Sequence, residues 1–390
     1  MSLYGMMRTG VSGMNAQANR LSTVADNIAN SDTTGYKRSS VEFSTMLLPT
    51  SGGAYNSGGV NTVVRTSIAS QGALQYTTSG SDLAIKGDGF FVVRVPATQG
   101  MSTDQTNYLT RAGSFVLDAS GRLVNAAGYQ LMGYKIGGSD VLEAITIPSE
   151  PREPQASTLG RLAGNLPSNA DVGYTSKSSI LIYTVDGTPK MLDIHFSKTG
   201  DGEWDVSVED ESGATLGSGT LGFDVAGKLV SGGSIDLDPL VSVPDFTLDL
   251  SKFTQFGSGF SITDLGANGN TDSAIDSIQI GKDGTIFAQY TDGSTAALYK
   301  IALADVASPD RLTALAGNVY VESPDSGPVI FGSANDKGFG SLVSGALESS
   351  NVDIAEELTN MISAQRSYTA NSKVFQTGAE LMDILVNLKR

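Results

Sequence analysis

The residues from Ser350 to Arg390 constrain this chain more than any others. Steps of four and three from Ile354 give Leu358, Met361, Gln365, Tyr368, Ser372, Phe375, Ala379, Met382, Val386 and Lys389, and eight of these eleven positions are apolar. This is the spacing of a helix whose apolar seam meets another helix. Val374, Leu381, Leu385 and Leu388 widen the face beyond a single seam. The helix start is expected at a capping box, Ser350 with Asp353 three residues later. Glu356 and Glu357 follow where the helix dipole favours negative charge, and Lys389 and Arg390 suit the other end. Gly378 is a weak link, costing about 1 kcal/mol relative to Ala.

The N-terminus repeats the pattern. The same steps give Leu3, Met7, Gly10, Met14, Gln17, Leu21, Val24 and Ile28, six of eight apolar, with Val11, Ala18 and Ala25 forming a flanking row that allows close approach. Two arrangements satisfy such helices: each docks on the core of its own domain, or they pair with each other and then with the same pair in neighbouring copies. A helix that covers a core is usually flanked by the elements it covers, whereas these are the first and last segments of the chain. The second arrangement is therefore expected. Its subunit interface comprises Leu3, Met7, Met14, Leu21, Val24 and Ile28 at one end, and Ile354, Leu358, Met361, Tyr368, Phe375, Met382, Val386 and Leu388 at the other. Between Asn30 and Gly35 the sequence reads as a helix stop and turn leading into Tyr36, with Gly35 free to take positive φ. Asn27 either fixes helix register by hydrogen bonding or lies at a solvated helix end.

The middle of the chain is strand-like. Gly accounts for 46 residues and aromatics for only 7%, which fits turn-rich β modules. Residues 278–303 show three apolar-alternating runs separated by Asp-Gly turns, a β-meander, and residues 83–95 and 115–134 use similar devices. Residues 140–272 differ in character. They open on the linker-like "PSEPREPQ" and hold 20 Asp/Glu against 7 Lys/Arg, which is −13 of the chain's −16. The expected class is multidomain α + all-β, with terminal coiled-coil α-helices and nested β-barrel or β-sandwich domains. Residues 1–30 and 350–390 are the terminal helices and 31–70 a connecting segment. A discontinuous β domain takes 71–144 and 273–349, and an acidic β domain is inserted at 145–272.

The charge of −16 argues against nucleic acid or an anionic membrane as partner. No run reaches transmembrane length, so membrane insertion is not expected, and the start lacks the form of a secretory signal. There is no Cys, and His195 is the single histidine, which reads as an ordinary strand residue in "LDIHF". Asp236 and Asp238 share a strand face but read as solvated acids. No catalytic, cofactor or metal site is expected. A competing class, an enzyme or carbohydrate-binding β protein with oligomerising helices, needs a polar cleft in the inserted domain, and Trp204 is the one tryptophan available for sugar stacking.

Four stretches carry a family resemblance: "GVSGMNAQANRLSTVADNIANSDTTGYKR", "SDLAIKGDGFFVV", "YLTRAGSFVLDASGRLVNAAGYQLMGY" and the C-terminal segment from "GSLVSGALESSNVD" onward. They resemble the flagellar axial rod and hook proteins, the hook branch most closely. Rod proteins share the terminal motifs but lack a large inserted domain, and the length and the "RLAGNLPSNA" segment favour the hook. The inserted domain matches least. The resemblance implies an extracellular, curved tubular homopolymer, a universal joint between motor and filament. It also implies that terminal helices surround an export channel and β domains form the outer layers. The partners it implies are further copies of the chain, the flagellar rod, the hook cap, the hook-filament junction proteins and the type III export apparatus.

Overall fold

The computed structural model describes residues 3–47, 57–96, 106–138, 140–237, 245–336 and 338–388. Asp238, Lys389 and Arg390 lie outside these residues, as does the side chain of Leu388. The chain forms two compact units. The first comprises Met1–Ile147, Ser277–Gln289 and Thr295–Arg390, and the second Pro148–Asp276 and Tyr290–Ser294.

In the first unit, α1 spans Leu3–Ala29 and α2 spans Ile354–Leu388. The connecting segment is largely an antiparallel pair, β1 (Ser39–Leu47) and β2 (Ser57–Thr66). Val41 opposite Val64, Phe43 opposite Thr62 and Thr45 opposite Val60 share one face, because strand side chains alternate. That face meets α1. Ser12 Oγ donates to the Val60 carbonyl at 2.9 Å and accepts from the Val60 N–H at 2.8 Å, while Asn19 Nδ2 donates to Thr62 Oγ1 at 3.0 Å.

The rest of this unit interleaves strands from distant parts of the sequence. Phe90–Arg94 borders Tyr108–Thr110, Gln130–Lys135 and Leu303–Asp305, and Gln130–Lys135 pairs in turn with Thr295–Ile301. Leu83–Lys86 pairs with Ser341–Ser344, and Leu74–Tyr76 with Ala346–Glu348. The sheet's core packs Ile68, Phe90, Val92, Leu109, Met132 and Leu312. Fully burying each such large side chain contributes roughly 1.5–3 kcal/mol.

One turn device recurs in both units. Asp118, Asn125, Asp210 and Asp224 each accept two backbone N–H bonds, from the residues two and four positions on. The residue three positions on is a glycine at φ 75–84° (Gly121, Gly128, Gly213, Gly227), a conformation that costs glycine nothing.

The second unit is a β-sandwich. Thr175–Tyr183, Pro189–Gly200, Glu203–Glu209, Thr215–Phe223 and Leu229–Ser231 form an antiparallel meander. The facing sheet centres on Leu159–Pro167, which pairs parallel with Phe246–Asp249 and Thr254–Phe256 and antiparallel with Ser261–Ala267. Leu166, Phe196, Trp204, Leu221, Leu248 and Phe253 fill the space between. His195 alternates with the buried Ile194 and Phe196 and faces outward, its Nε2 3.7 Å from Glu209. Asp236 accepts from Thr247 Oγ1 at 2.8 Å on an exposed strand surface. Trp204 is fully buried, so it offers no face on which a sugar ring could stack.

Candidate assembly interface

The two terminal helices pack antiparallel. Met7 meets Gly378, Gly10 meets Phe375 and Asn371, Gly13 meets Asn371, and Arg20 Nη2 donates to Asn360 Oδ1 at 2.8 Å. Glycine leaves room for the side chains packed between the helices. A Cβ on Gly13 would come within 2.7 Å of the Asn371 amide, and one on Gly378 within 2.7 Å of Met7 Cγ. Gly378 is therefore a packing site for Met7 rather than simply the weak point that helix propensity makes it.

The face that α2 turns to α1 is mainly not its apolar seam, although Phe375 of the seam lies against Gly10. Of the nine buried or half-buried positions among the described side chains of α2, six form a row of mostly small and polar residues, Glu357, Asn360, Ala364, Ser367, Asn371 and Gly378, and three, Met361, Ser372 and Ala379, belong to the seam. This row is the seam shifted by one residue, about 100° around the helix axis. Ile354, Leu358, Tyr368, Phe375, Met382 and Val386 consequently remain exposed, from 36% at Met382 to 60% at Val386, while Met361 is half-buried. Val374, Leu381, Ile384 and Leu385 are exposed beside them. On α1, Val24 is buried, whereas Leu3, Met7, Met14, Leu21 and Ile28 are half-buried. The structure thus brings α1 and α2 together and leaves six of the eight expected α2 interface residues exposed.

The cap of α2 is Asp353, whose Oδ1 accepts from Ala355 N–H at 2.8 Å and Glu356 N–H at 3.3 Å. Ser350 does not form the expected capping box; its Oγ receives the N–H of Val352, ahead of the helix. A side chain can reach only the N–H groups of the first turn, and α2 begins at Ile354.

Asn27 is neither a solvated helix end nor a partner for another helix. It is 1% exposed; its Nδ2 donates to the Ser39 carbonyl at 2.7 Å, and its Oδ1 accepts from Ser39 N–H at 2.9 Å and from the Tyr36 hydroxyl at 3.2 Å. It therefore fixes the end of α1 to the start of β1. Burial, helped by Asp26, pushes the Tyr36 hydroxyl above its ordinary pKa. Asn30 closes the helix end, donating to the Asp26 carbonyl and accepting from Thr33. Gly35 takes φ 69°, and a Cβ there would strike the backbone of Ala112 at 2.6 Å.

A buried ion cluster lies next to this turn, unmarked in the sequence. Lys37 Nζ is 2.6 Å from Glu348 Oε1 and 2.6 Å from the Ser70 carbonyl. Arg111 Nη1 is 3.3 Å from Glu348 Oε2, and its guanidinium lies 5.1 Å from the centre of the Phe90 ring. Glu348 also accepts the Gly72 N–H at 2.9 Å. Burial lowers the Lys37 pKa, against the opposing pull of Glu348. One residue on, Arg38 holds Glu356 at 2.6 Å and Glu357 at 2.7 Å, so the exit from α1 grips the first turn of α2. The one sequence signal for this was "GYKR", a pair of cations directly after a turn.

Against this geometry the comparisons are decisive. The chain is 49% identical to the flagellar hook protein FlgE of Rhizobium meliloti (strain 1021), with 100% of each chain covered. It is 31% identical to the FlgE of Salmonella typhimurium, covering 97% of this chain and 98% of that one. The chain belongs to the flagellar hook protein family. Family descriptions match segment by segment: "Flagella basal body rod protein" at residues 7–37, "Flagellar hook protein FlgE/F/G D1 domain" at 84–163, "Flagellar basal body protein FlaE D2 domain" at 155–270, and "Flagellar basal body rod FlgEFG protein C-terminal" at 343–388. The third of these covers the acidic insert, the part in which sequence reading found the weakest resemblance. The crystal structure of Helicobacter pylori flagellar hook protein FlgE2 shares the fold, with a TM-score of 0.56 over 70% of this chain and 100% of that one at 15% identity. This is a structural protein of the hook of the flagellar basal body, which assembles as a homopolymer, and not an enzyme.

Proposed function

We propose that the chain is the repeating unit of a curved helical tube outside the cell, in which α1 and α2 form the inner wall around an export channel. The observation that carries this reading is the uncovered α2 seam. A helix pair that has already used a small, polar face for its own contact still presents Leu358, Tyr368, Phe375, Met382 and Val386 to solvent. Burying them against sister helices contributes up to roughly 1.5–3 kcal/mol for each large side chain, enough for many such contacts to resist shear and carry torque. The acidic second unit forms the outer layer, where polar, replaceable contacts slide as the tube bends and like charges are partly screened by salt. The tube acts as a universal joint. Its ends meet the flagellar rod and the hook-filament junction proteins, it grows beneath the hook cap, and its subunits arrive through the type III export apparatus.

Electron microscopy of Met382→Asp tests this reading. Met382 is exposed in the single chain, so the variant is expected to keep its circular dichroism and Trp204 fluorescence while forming no tubes. Tubes of ordinary length from this variant refute the seam assignment.

A further inference from the structure

Beside α1 lies a groove of about 610 Å³, bounded by α1, by β2 and by Phe375 of α2. Met7, Val11 and Ala16 of α1 and Val60 of β2 give it an apolar lining, and Arg8 is the one charged residue among the residues that line it.

The last turns of α2 are its chemical complement. Every residue from Leu381 to Asn387 is exposed, and five of these seven are apolar: Leu381, Met382, Ile384, Leu385 and Val386. The charged residues from Val374 to Leu388 are Glu380 and Asp383, both acidic and three positions apart, hence on one side of the helix, and Lys389 and Arg390 follow at least six positions beyond Asp383. The preceding stretch of α2 carries Arg366 and Lys373, which would repel Arg8.

We propose that the end of α2 from one copy, residues 380–388, seats in the α1–β2 groove of a neighbouring copy, with Glu380 and Asp383 beside Arg8. This rests on the subunit reading above and names the surfaces that meet. The chain's own tail does not reach. Met7 lies against Gly378 in the antiparallel pair, so Val11 and Leu385 are displaced in opposite directions from that contact, by four and seven residues. At 1.5 Å per residue they are about 16 Å apart along the axis. Length suits a second copy, since the tail measures about 12 Å of helix and the groove, from Tyr4 to Asn19, about 22 Å. Charge suits it too. Copies that each carry −16 repel one another, and a cation lining the groove opposite two carboxylates offsets that repulsion locally while selecting this stretch of helix.

The absence of cysteine provides the test. Val11→Cys and Leu385→Cys are made in separate chains, mixed, polymerised and oxidised. The expected result is a Val11–Leu385 cross-linked dimer in the polymer and none in the unpolymerised mixture. Normal tubes without this cross-link, or with Val11→Cys captured instead by Ile362→Cys, at a 51% exposed position earlier in α2, overturn the proposal and leave the hook subunit reading standing. Failure of the unsubstituted chain to polymerise overturns that reading itself. A charge exchange gives the second arm: Arg8→Glu and Asp383→Arg are each expected to slow polymerisation at low salt by about tenfold, and the double variant to recover most of the loss. Additive losses in the double variant overturn the pairing.

Discussion

Glu348 is fully buried and accepts from Lys37, Arg111 and the Gly72 backbone, so one carboxylate ties the exit of α1, the β core and the strand before α2. Glu348→Leu leaves two buried cations without their anion and is expected to cost about 3–5 kcal/mol, read as a lower denaturation midpoint by circular dichroism. Trp204 lies in the second unit, so its fluorescence transition is expected to stay in place. Lys37→Met added to Glu348→Leu should recover part of the loss. A smaller cost is expected for Asn27→Ala, about 1–3 kcal/mol, since it strands the N–H and carbonyl of Ser39. These residues were poorly legible beforehand. A buried Lys, Arg or Asn has no periodic signature, and Asn27 pointed to a helix partner only because it flanks the seam. Asp353 was legible because a cap acts within one turn of its own sequence.

For the helices, sequence and structure agree that each end of the chain carries one and differ on where α2 begins and which face it turns to α1. A 4-3 repeat specifies which residues share a face, but not what covers that face. The intrachain contact follows the row displaced by about 100°, where Gly10 lies against the Asn371 backbone and Gly13 and Gly378 leave room for the Asn371 and Met7 side chains. Gly13→Val is expected to displace the Asn371 amide and loosen the pair slightly, and a small drop in helical signal on gentle heating checks this. Hydrogen exchange gives a separate reading of the exposed seam. Amides of residues 381–387 are expected to exchange quickly in the unpolymerised chain and to slow at least tenfold in tubes, because local opening then has to break intersubunit contacts. Unchanged exchange would place the seam outside the assembled interface.

At the scale of the whole molecule, acid should weaken the second unit. Hydrogen bonds and a cation hold its aspartates below their ordinary pKa: Lys177 and Ser179 act on Asp193, Ser212 on Asp210, and Ser251 on Asp249. A carboxylate depressed in the folded state contributes its stability above the unfolded value of 3.8. That contribution is lost as pH falls from there through the folded value, because the unfolded chain takes up protons first. The Trp204 transition is therefore expected to weaken as pH falls below about 4. Replacing Pro148–Asp276 by a short linker is expected to leave tube formation intact and to alter curvature or bending stiffness, both visible by electron microscopy; an identically curved tube would refute the outer-layer role. The sequence by itself determined the helical ends, the strand-rich middle, the acidic insert and the family, because periodicity, turn chemistry and charge are local or additive properties. Only the tertiary structure decided which face of α2 meets α1, that β1 and β2 lie along α1, and that Glu348 gathers Lys37 and Arg111. Those choices depend on which distant residues can approach without a clash or an unpaired buried charge, and no single stretch of chain encodes that.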